Sequence, residues 1–197
     1  MTRKRVGVFS GTFDQVHRGH VESCVVALGA LNLDTVLIII EKQPRRKTGV
    51  AEFIDRANMV ELAVSDFPSL RLVDLESDNV TTDNTLKYLE DNFPGGEYWY
   101  IIGSDVLEHI QDWPGHKKLL ESFHLCVVLR DNDELSTVKK RLAELEEKYE
   151  CNTNITLPSV WSPVSSSTVK AALKKGEIIT SLDPAVREYI QRHKLYQ

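Results

Sequence analysis

The feature that most constrains the fold of this chain is a junction between an apolar run and a helical segment. Residues 6–9 are apolar and predict a buried first strand, and the Ala- and Val-rich residues 21–31 are long enough for a helix. Residues 11–20, Gly-Thr-Phe-Asp-Gln-Val-His-Arg-Gly-His, connect the two. In an open α/β sheet, ligands bind at such connections, beyond the carboxyl ends of the strands. The junction therefore predicts both an α/β fold and a ligand site.

Strand-like and helix-like segments continue to alternate after this junction. The continuous apolar run at residues 36–40 is typical of a strand that is covered on both faces of a parallel sheet. The patterns also predict strands at 70–75, 98–102, 124–129 and 155–157, and helices at 53–64, 85–93, 137–149, 169–173 and 185–195. This order predicts an α/β fold with a doubly wound parallel sheet, Rossmann-like, in which residues 1–197 form a single domain.

The connection at residues 11–20 carries groups that suit phosphate. Gly11 permits a turn that a Cβ would obstruct, and His17 and His20 lie three apart, so both imidazoles can share one face of the helix start. A helix N-terminus also offers unpaired backbone N–H groups and a positive dipole end. A loop with two surface histidines is the simpler alternative. The preceding residues Gly-Thr-Phe-Asp and the His-x-Gly-His spacing together favour a polyphosphate site.

Two further segments place cations or hydroxyls next to predicted element ends. Residues 44–47, Pro-Arg-Arg-Lys, form a basic loop after the second strand, where Lys47 can clamp a phosphate or carboxylate. Residues 163–170 place three serines before a helix that carries Lys170 one turn inside. A solvated charge run and simple helix capping are the respective alternatives. Three serines plus a lysine favour a second phosphate-binding segment.

The predicted fourth strand ends at residues 103–105, Gly-Ser-Asp, which again is an apolar strand followed by a turn of small residues. An ionised Asp105 can accept hydrogen bonds from ribose hydroxyls, and it can also serve as the N-cap of the following helix. Trp113 lies in a loop beside a Pro-Gly pair, where an exposed indole could stack on a heteroaromatic ring. A core position is the alternative for this tryptophan.

Composition narrows the class of ligand. The net charge of -5 and the isoelectric point near 5.7 argue against a nucleic-acid partner, which normally needs a basic face. The three cysteines form no C-x-x-C pair, so we expect reduced thiols rather than a disulfide framework or a zinc site. No apolar stretch approaches a membrane-spanning length. We therefore expect a cytoplasmic protein that binds a small anion, without nucleic acid, membrane or protein-bound metal; a homo-oligomer is left open.

Residues 11–20 closely resemble the signature of the nucleotidyltransferase superfamily, Gly-[Ser/Thr]-Phe-Asp-Pro-x-His-x-Gly-His, with Gln15 in place of the usual proline. Over most of its length the chain is similar to the nicotinate mononucleotide adenylyltransferase family. The similarity includes Gly-Ser-Asp followed by Trp113, Ser-Ser-Ser-Thr-Val-Lys at 165–170, and Leu-Asp-Pro-Ala-Val at 182–186, which leads to Tyr196.

Three segments depart from that family's pattern. The basic loop usually reads Pro-Pro-His-Lys, and the segment at 80–86 lacks a tyrosine that the family places near the pyridine pocket. The Ser-Ser-Ser-x-Val-Lys form is closer to pantetheine-phosphate adenylyltransferase, a shorter relative. The departures concentrate in the residues expected to meet the acceptor of the transferred group.

By this resemblance, the chain transfers AMP from ATP to nicotinate mononucleotide and gives deamido-NAD and pyrophosphate, a step of NAD biosynthesis. The mononucleotide phosphate attacks the α-phosphorus in line, and Mg²⁺ arrives with ATP. The resemblance implies catalytic roles for His17, His20 and Lys170. It implies ATP contacts at Ser10, Gly11, Thr12, Phe13, His17, His20, Gly103, Asp105, Ser166, Ser167 and Lys170, and mononucleotide contacts at Lys47, Thr82, Thr85, Trp113 and Arg130.

Other functions stay open at this point. The same chemistry on nicotinamide mononucleotide or another phosphate monoester needs only a changed acceptor pocket. A cytidylyltransferase shares the first motif, but the chain has no Arg-Thr-x-Gly-Ile-Ser-Thr-Thr segment. A nucleotide-binding protein without catalysis would be expected to lack His20 or Lys170, and both are present.

Overall fold

The protein is seen in a computed structural model that describes residues 3–44, 48–129, 134–149, 151–156, 166–175 and 179–196. Its described strands form one six-stranded sheet in the order β3-β2-β1-β4-β5-β6, and every adjacent pair is parallel. The strands are β1 (Arg5–Gly11), β2 (Thr35–Ile40), β3 (Leu70–Val73), β4 (Glu97–Gly103), β5 (His124–Val128) and β6 (Thr153–Thr156). The predicted doubly wound parallel sheet is confirmed.

Helices cover both faces of the sheet. One face packs against α1 (Arg18–Ala30), α2 (Phe53–Val64), α7 (Ser166–Lys174) and α8 (Pro184–Arg192). The other face packs against α3 (Thr82–Asn92), α4 (Ser104–Leu107), a 3₁₀ turn (Ile110–Asp112), α5 (His116–Ser122) and α6 (Leu135–Tyr149). This is the three-layer arrangement that alternating strands and helices produce.

Strand β2 shows how one sheet supports two cores. Val36, Ile38 and Ile40 enter the core that contains α1 and α2, whereas Leu37 and Ile39 enter the core on the opposite face. Successive side chains of a strand point to opposite faces, and all five are buried because helices cover both. The unbroken apolar run therefore correctly indicated an interior strand.

The strand order reverses beside β1, and this reversal positions the candidate site. β1 pairs with β2 on one side and with β4 on the other, where Val8 lies opposite Tyr100. The two strands end at Gly11 and Gly103, and doubly wound sheets bind ligands in the crevice outside such a pair of carboxyl ends. The connections from β1 to α1 and from β4 to α4 consequently lie next to each other.

The observed boundaries differ from the predicted ones by up to three residues in most elements, and two of these differences have a clear local cause. Helix α3 begins at Thr82, three residues earlier than predicted, because the Thr81 side chain accepts a hydrogen bond from the N–H of Asn84 at 3.2 Å and caps the helix. Strand β3 ends at Val73, two residues early, because the Asp74 carboxylate accepts a hydrogen bond from a backbone N–H two residues later and turns the chain. Both errors arose from short polar side chains that bond their own backbone.

Two details of the helical pattern were also wrong. Helix α5 was not predicted, because only seven residues carry its amphipathic pattern, with Leu119 and Leu120 as the buried residues. Within α2, the apolar Ile54 is 62% exposed, although an amphipathic helix would be expected to bury it. The fully buried residue of the first turn is instead Arg56.

The three cysteines lie in the interior. Cys24, Cys126 and Cys151 are all buried thiols outside disulfides. Burial raises the pKa of the Cys24 thiol, so this side chain stays protonated in the core. Among the residues that the structure describes, no helix is long and apolar enough to cross a membrane.

Candidate active site

The two histidines of residues 11–20, hereafter the signature loop, lie together at the start of α1. His17 is the N-cap residue and is buried, and its ring stacks on that of His20 at 3.7 Å between centroids. His20 Nδ1 accepts a hydrogen bond from the backbone N–H of His17 at 3.2 Å. A neutral His20 therefore carries its proton on Nε2, as a phosphate-binding donor requires. The expected shared face of the two imidazoles is confirmed.

The backbone N–H groups at the start of α1 are less available than the sequence indicated. The N–H of Arg18 donates to the carbonyl of Ser181 at 2.8 Å, and the N–H of His20 donates to the carbonyl of His17 at 2.9 Å. The expectation that this helix start presents unpaired amides was wrong at these two positions. These two amides are consequently engaged within the protein.

The first residues of the signature loop are held against both neighbouring strands. Ser10 Oγ and the Tyr100 hydroxyl lie 2.5 Å apart, which ties β1 to β4, and burial raises the pKa of Tyr100 to about 12. Thr12 donates from Oγ1 to a carboxylate oxygen of Glu41 at 3.3 Å. Thr12 and Phe13 are buried, so their side chains are largely inaccessible from the surface.

Arg56 joins the signature loop to the start of α2, and the sequence analysis missed it. Its guanidinium donates to the carbonyls of Ala51 at 2.9 Å, Thr12 at 2.8 Å, Glu41 at 2.8 Å and Lys42 at 3.0 Å. Desolvation lowers the pKa of Arg56. Five donors on a rigid planar group suit such a cross-link between backbone segments. The sequence did contain one indication of its burial, because Arg56 occupies a position at which the helical spacing of α2 otherwise places apolar residues.

Asp14 is the centre of a second buried polar cluster. Its Oδ1 accepts hydrogen bonds from the Tyr196 hydroxyl at 2.6 Å and from the backbone N–H of Ala51 at 3.1 Å. Its Oδ2 accepts one from the Lys170 ammonium, which also donates to the carbonyl of Gly49 at 3.2 Å. The structure thus brings Lys170 to the signature loop, as a role in phosphate binding requires.

The end of β4 and the start of α4 carry two further residues that were expected to contact ATP, Gly103 and Asp105. Gly103 is the N-cap residue of α4, and Asp105 is an exposed residue of its first turn. The alternative role of Asp105 as N-cap is therefore wrong, and its carboxylate lies at the surface beside the crevice. We call the signature loop, Lys170 and this end of β4 the nucleotide half of the site.

Thr82, Thr85 and Trp113 are the described residues that were expected to contact the mononucleotide. They lie in or near the start of α3, and we call them the acceptor half of the site. Trp113 is half-buried, with its ring edge-on to Tyr100 at 6.4 Å, so part of the indole remains exposed. Thr82 donates from Oγ1 to the carbonyl of Gly115 at 3.5 Å. This long contact links α3 to residues 113–115, hereafter the tryptophan loop. Thr82 and Trp113 therefore belong to one surface.

Thr85 is placed differently from the expectation. It is 1% exposed, and both its hydroxyl and its N–H donate to the carbonyl of Thr81, at 2.9 and 3.0 Å. The N–H of Thr85 is thus part of the helix and does not meet a ligand. The acceptor half retains Thr82 and Trp113 as candidate contacts.

Several expected contacts lie outside the part of the chain that can be described. Lys47 and Arg130 fall outside the described residues, and for Ser166 and Ser167 the structure describes the backbone at the start of α7 but not the side chains. Across the described residues, no group of three or more His, Cys, Asp or Glu side chains is arranged to hold a metal ion.

Comparison with known proteins identifies the family of the chain. Residues 8–172 match the family model described as cytidylyltransferase-like. A Lachnoclostridium phytofermentans protein named "Probable nicotinate-nucleotide adenylyltransferase" is 31% identical over 200 residues, which cover 98% of this chain and 99% of the relative. A protein of the same name from Neisseria meningitidis serogroup C is 28% identical, with 98% and 99% covered.

Solved structures show the same fold. The nicotinic acid mononucleotide adenylyltransferase of Plasmodium falciparum in complex with NaAD superposes with a TM-score of 0.81 at 21% identity, over 98% of each chain. Its complex with APC gives 0.78 at 20% identity, again over 98% of each chain. The chain belongs to the cytidylyltransferase-like family, within the branch of the nicotinate-nucleotide adenylyltransferases.

Proposed function

We propose that this protein transfers AMP from ATP to the 5′-phosphate of nicotinate mononucleotide, as a nicotinate-nucleotide adenylyltransferase of NAD biosynthesis. The observation that carries the proposal is the stacked pair of His17 and His20 at the reversal of strand order, with Lys170 reaching the same loop. Relatives that cover almost the whole chain and bear this name support it.

The reaction is an in-line displacement at the α-phosphorus. A phosphate oxygen of the mononucleotide forms the new P–O bond, the bond from the α-phosphorus to the bridging oxygen breaks, and pyrophosphate leaves with the electron pair. His20 donates from Nε2 to the oxygens on which charge develops, and His17 supports its ring by stacking. Lys170 holds the β- and γ-phosphates as they depart. Positioning and charge stabilisation suffice, so no covalent intermediate is needed.

The remaining candidate residues bind the two substrates. Gly103 and Asp105 contact adenosine, and the start of α7 with Ser166 and Ser167 contacts the outer phosphates. Trp113 stacks on the pyridine ring, while Thr82, Lys47 and Arg130 contact the rest of the mononucleotide. Mg²⁺ enters as part of the ATP complex and is held by the phosphate oxygens and water, since it dehydrates reluctantly and needs few protein ligands.

Acceptor choice tests this proposal directly. Purified protein is mixed with Mg-ATP and nicotinate mononucleotide, nicotinamide mononucleotide or 4′-phosphopantetheine, and pyrophosphate release is measured for each. The nicotinate carboxylate can accept charge-assisted hydrogen bonds that the amide cannot, so we expect a preference of roughly 10–150-fold in kcat/KM for the acid. The third acceptor is included because residues 165–170 resemble those of the pantetheine-phosphate enzymes.

Each outcome separates one alternative. Equal or better use of the amide would make nicotinamide mononucleotide the acceptor and refute the acid as the substrate. Preference for 4′-phosphopantetheine would move the protein to another branch of the family. Failure of all three acceptors, with ATP still bound, would favour a nucleotide-binding protein without this catalysis.

A further inference from the structure

The penultimate residue of the chain is bound into the nucleotide half. The Tyr196 hydroxyl donates to Asp14 Oδ1 at 2.6 Å, a contact that spans 182 positions of sequence. The Tyr196 ring also lies 5.3 Å from the Lys170 ammonium, in cation–π range. One tyrosine therefore contacts both members of the partly buried Asp14–Lys170 ion pair.

We propose that Tyr196 is a positioning residue for the nucleotide site: through Asp14 it fixes the Lys170 ammonium where the outer phosphates of ATP bind. This inference rests on the proposed function only in taking Lys170 as a ligand of those phosphates. Tyr196 itself contacts neither the reacting atoms nor the acceptor.

The geometry explains why the hydroxyl matters. Two donors, the Tyr196 hydroxyl and the N–H of Ala51, converge on Oδ1 of Asp14 and set the rotation of the carboxylate. The other oxygen, Oδ2, is then directed at Lys170. The Asp14 side chain is 3% exposed, so water offers little replacement for a lost donor. Burial, followed by the hydrogen bond to Asp14, raises the pKa of Tyr196, so the phenol remains a donor throughout the physiological pH range.

The Lys170 ammonium is consequently oriented before the nucleotide binds. Asp14 and the Gly49 carbonyl take two of its three N–H donors, and the third suits a phosphate oxygen. A lysine side chain loses rotamer entropy when it is fixed, and the contacts with Asp14 and Gly49 already account for part of that loss. Without the tyrosine hydroxyl, the carboxylate turns more freely and the ammonium is held less well.

The decisive variant is Tyr196→Phe, which keeps the ring over Lys170 and removes the hydroxyl. Its matched control is Tyr189→Phe, because the Tyr189 hydroxyl also donates to an aspartate, Asp55 Oδ1 at 2.8 Å, but on the outer contact between α8 and α2. Binding of ATP, pyrophosphate and AMP is measured by calorimetry, and kcat/KM for ATP is measured by pyrophosphate release. Thermal unfolding confirms that each variant is folded.

We expect Tyr196→Phe to weaken ATP and pyrophosphate and to lower kcat/KM roughly 5–30-fold, which is less than the direct loss of a hydrogen bond to a charged group because the tyrosine acts through Asp14. AMP lacks the outer phosphates and should bind as to the unchanged protein. Tyr189→Phe should leave all three affinities within about twofold. Equal weakening of AMP and ATP, or an equal effect of Tyr189→Phe, would make Tyr196 a general structural residue and overturn the proposal.

A double-mutant cycle identifies the route through which Tyr196 acts. In a Lys170→Met background the tyrosine has no ammonium to position, so Tyr196→Phe should change ATP affinity less than about twofold. Undiminished weakening in that background would contradict the proposal. If Tyr196→Phe does not fold, Asp14→Asn in the same cycle must show the same dependence on Lys170. ATP binding is measured without any acceptor, so a wrong acceptor leaves this result intact.

Discussion

The nucleotide half and the acceptor half of the site are held together in different ways. In the nucleotide half, Arg56 and Asp14 are buried and connect segments far apart in sequence, through contacts mostly between 2.6 and 3.1 Å. In the acceptor half, the described polar contacts that join α3 to the tryptophan loop and α5 are a 3.5 Å contact between Thr82 and the Gly115 carbonyl and an exposed ion pair between Asp83 and Lys118.

This difference follows the chemistry that each half is proposed to perform. Stabilising charge at the α-phosphorus requires donors that do not reorganise during the reaction, and buried cross-links provide such donors. Recognition of the acceptor requires only complementarity, which a lightly connected surface can change without loss of the fold. Two departures from the family pattern fall on the acceptor side, at the basic loop and at residues 80–86, while Gln15 and the Ser-Ser-Ser-x-Val-Lys segment belong to the nucleotide half.

The largest effect is expected at Arg56, because it joins the nucleotide half to the rest of the protein. Arg56→Met keeps much of the side-chain volume but leaves four backbone carbonyls without their donor. We expect the free energy of unfolding to fall by about 3–5 kcal/mol, measured by chemical denaturation. Arg71→Met, at an exposed position of β3, is the control and should cost less than about 0.5 kcal/mol. Similar losses for both variants would show that the buried guanidinium does not hold the site together.

His20 tests the catalytic use of that rigidity. His20→Ala removes the Nε2 donor, and losing one preorganised donor lowers kcat by roughly 10²–10³-fold while the KM for ATP changes much less. His109, whose side chain is 71% exposed, provides the control His109→Ala with unchanged kinetics. Steady-state kinetics with saturating acceptor measure both values. Near-normal kcat in His20→Ala would remove this histidine from the mechanism.

The sequence predicted some features of the fold and the candidate site but not others, and the difference depends on how far apart in the chain the contacting residues are. The shared face of His17 and His20 was predictable because three residues of spacing bring two side chains together on a helix. Strand β2 was predictable because its apolar run needs cover on both faces. Such features depend on neighbours in sequence.

The buried cross-links could not be predicted in that way. The contact of Asp14 with Tyr196 depends on where α8 packs, and no local pattern encodes that distance. Arg56 lies in the apolar phase of α2, which is a local sign of its burial, but no local pattern identifies its acceptors on Thr12 and Glu41. The engagement of the Arg18 N–H by Ser181 was missed for the same reason, because its acceptor is 163 residues away in sequence (181 − 18).

Lys170 should separate the phosphate contacts from the rest of the nucleotide half. Lys170→Ala is expected to weaken ATP and pyrophosphate by roughly 10–100-fold, since it removes a charge-assisted contact to their phosphates. AMP, which lacks those phosphates, should bind unchanged in the same calorimetric experiment. Lys175→Ala, at an exposed position just after α7, is the control for loss of positive charge. Weaker AMP binding would mean that the substitution damages the loop, because the partner Asp14 is left buried.

The smallest effect is expected in the acceptor half, at Gly115. Its φ of 77° lies in the left-handed region, and a Cβ there would lie 3.5 Å from Thr82 Oγ1. Gly95 provides a matched control, because its φ is 67° and a Cβ there would meet open space among the described residues. Gly115→Ala and Gly95→Ala should therefore each lower the free energy of unfolding by about 1 kcal/mol, through backbone strain alone.

Only Gly115→Ala should also affect the substrate, because only its methyl group touches the surface that carries Thr82 and Trp113. We expect the KM for the mononucleotide to rise roughly 2–5-fold, which corresponds to a fraction of a favourable contact, with the KM for ATP unchanged. The KM for ATP and the KM for the mononucleotide, measured for both variants in one buffer, show whether only the acceptor half responds. If the KM for ATP rises as well, the two halves are mechanically coupled across the site, and the contrast between a rigid nucleotide half and an adaptable acceptor half is wrong. If Gly95→Ala raises the KM for the mononucleotide equally, general destabilisation accounts for the change.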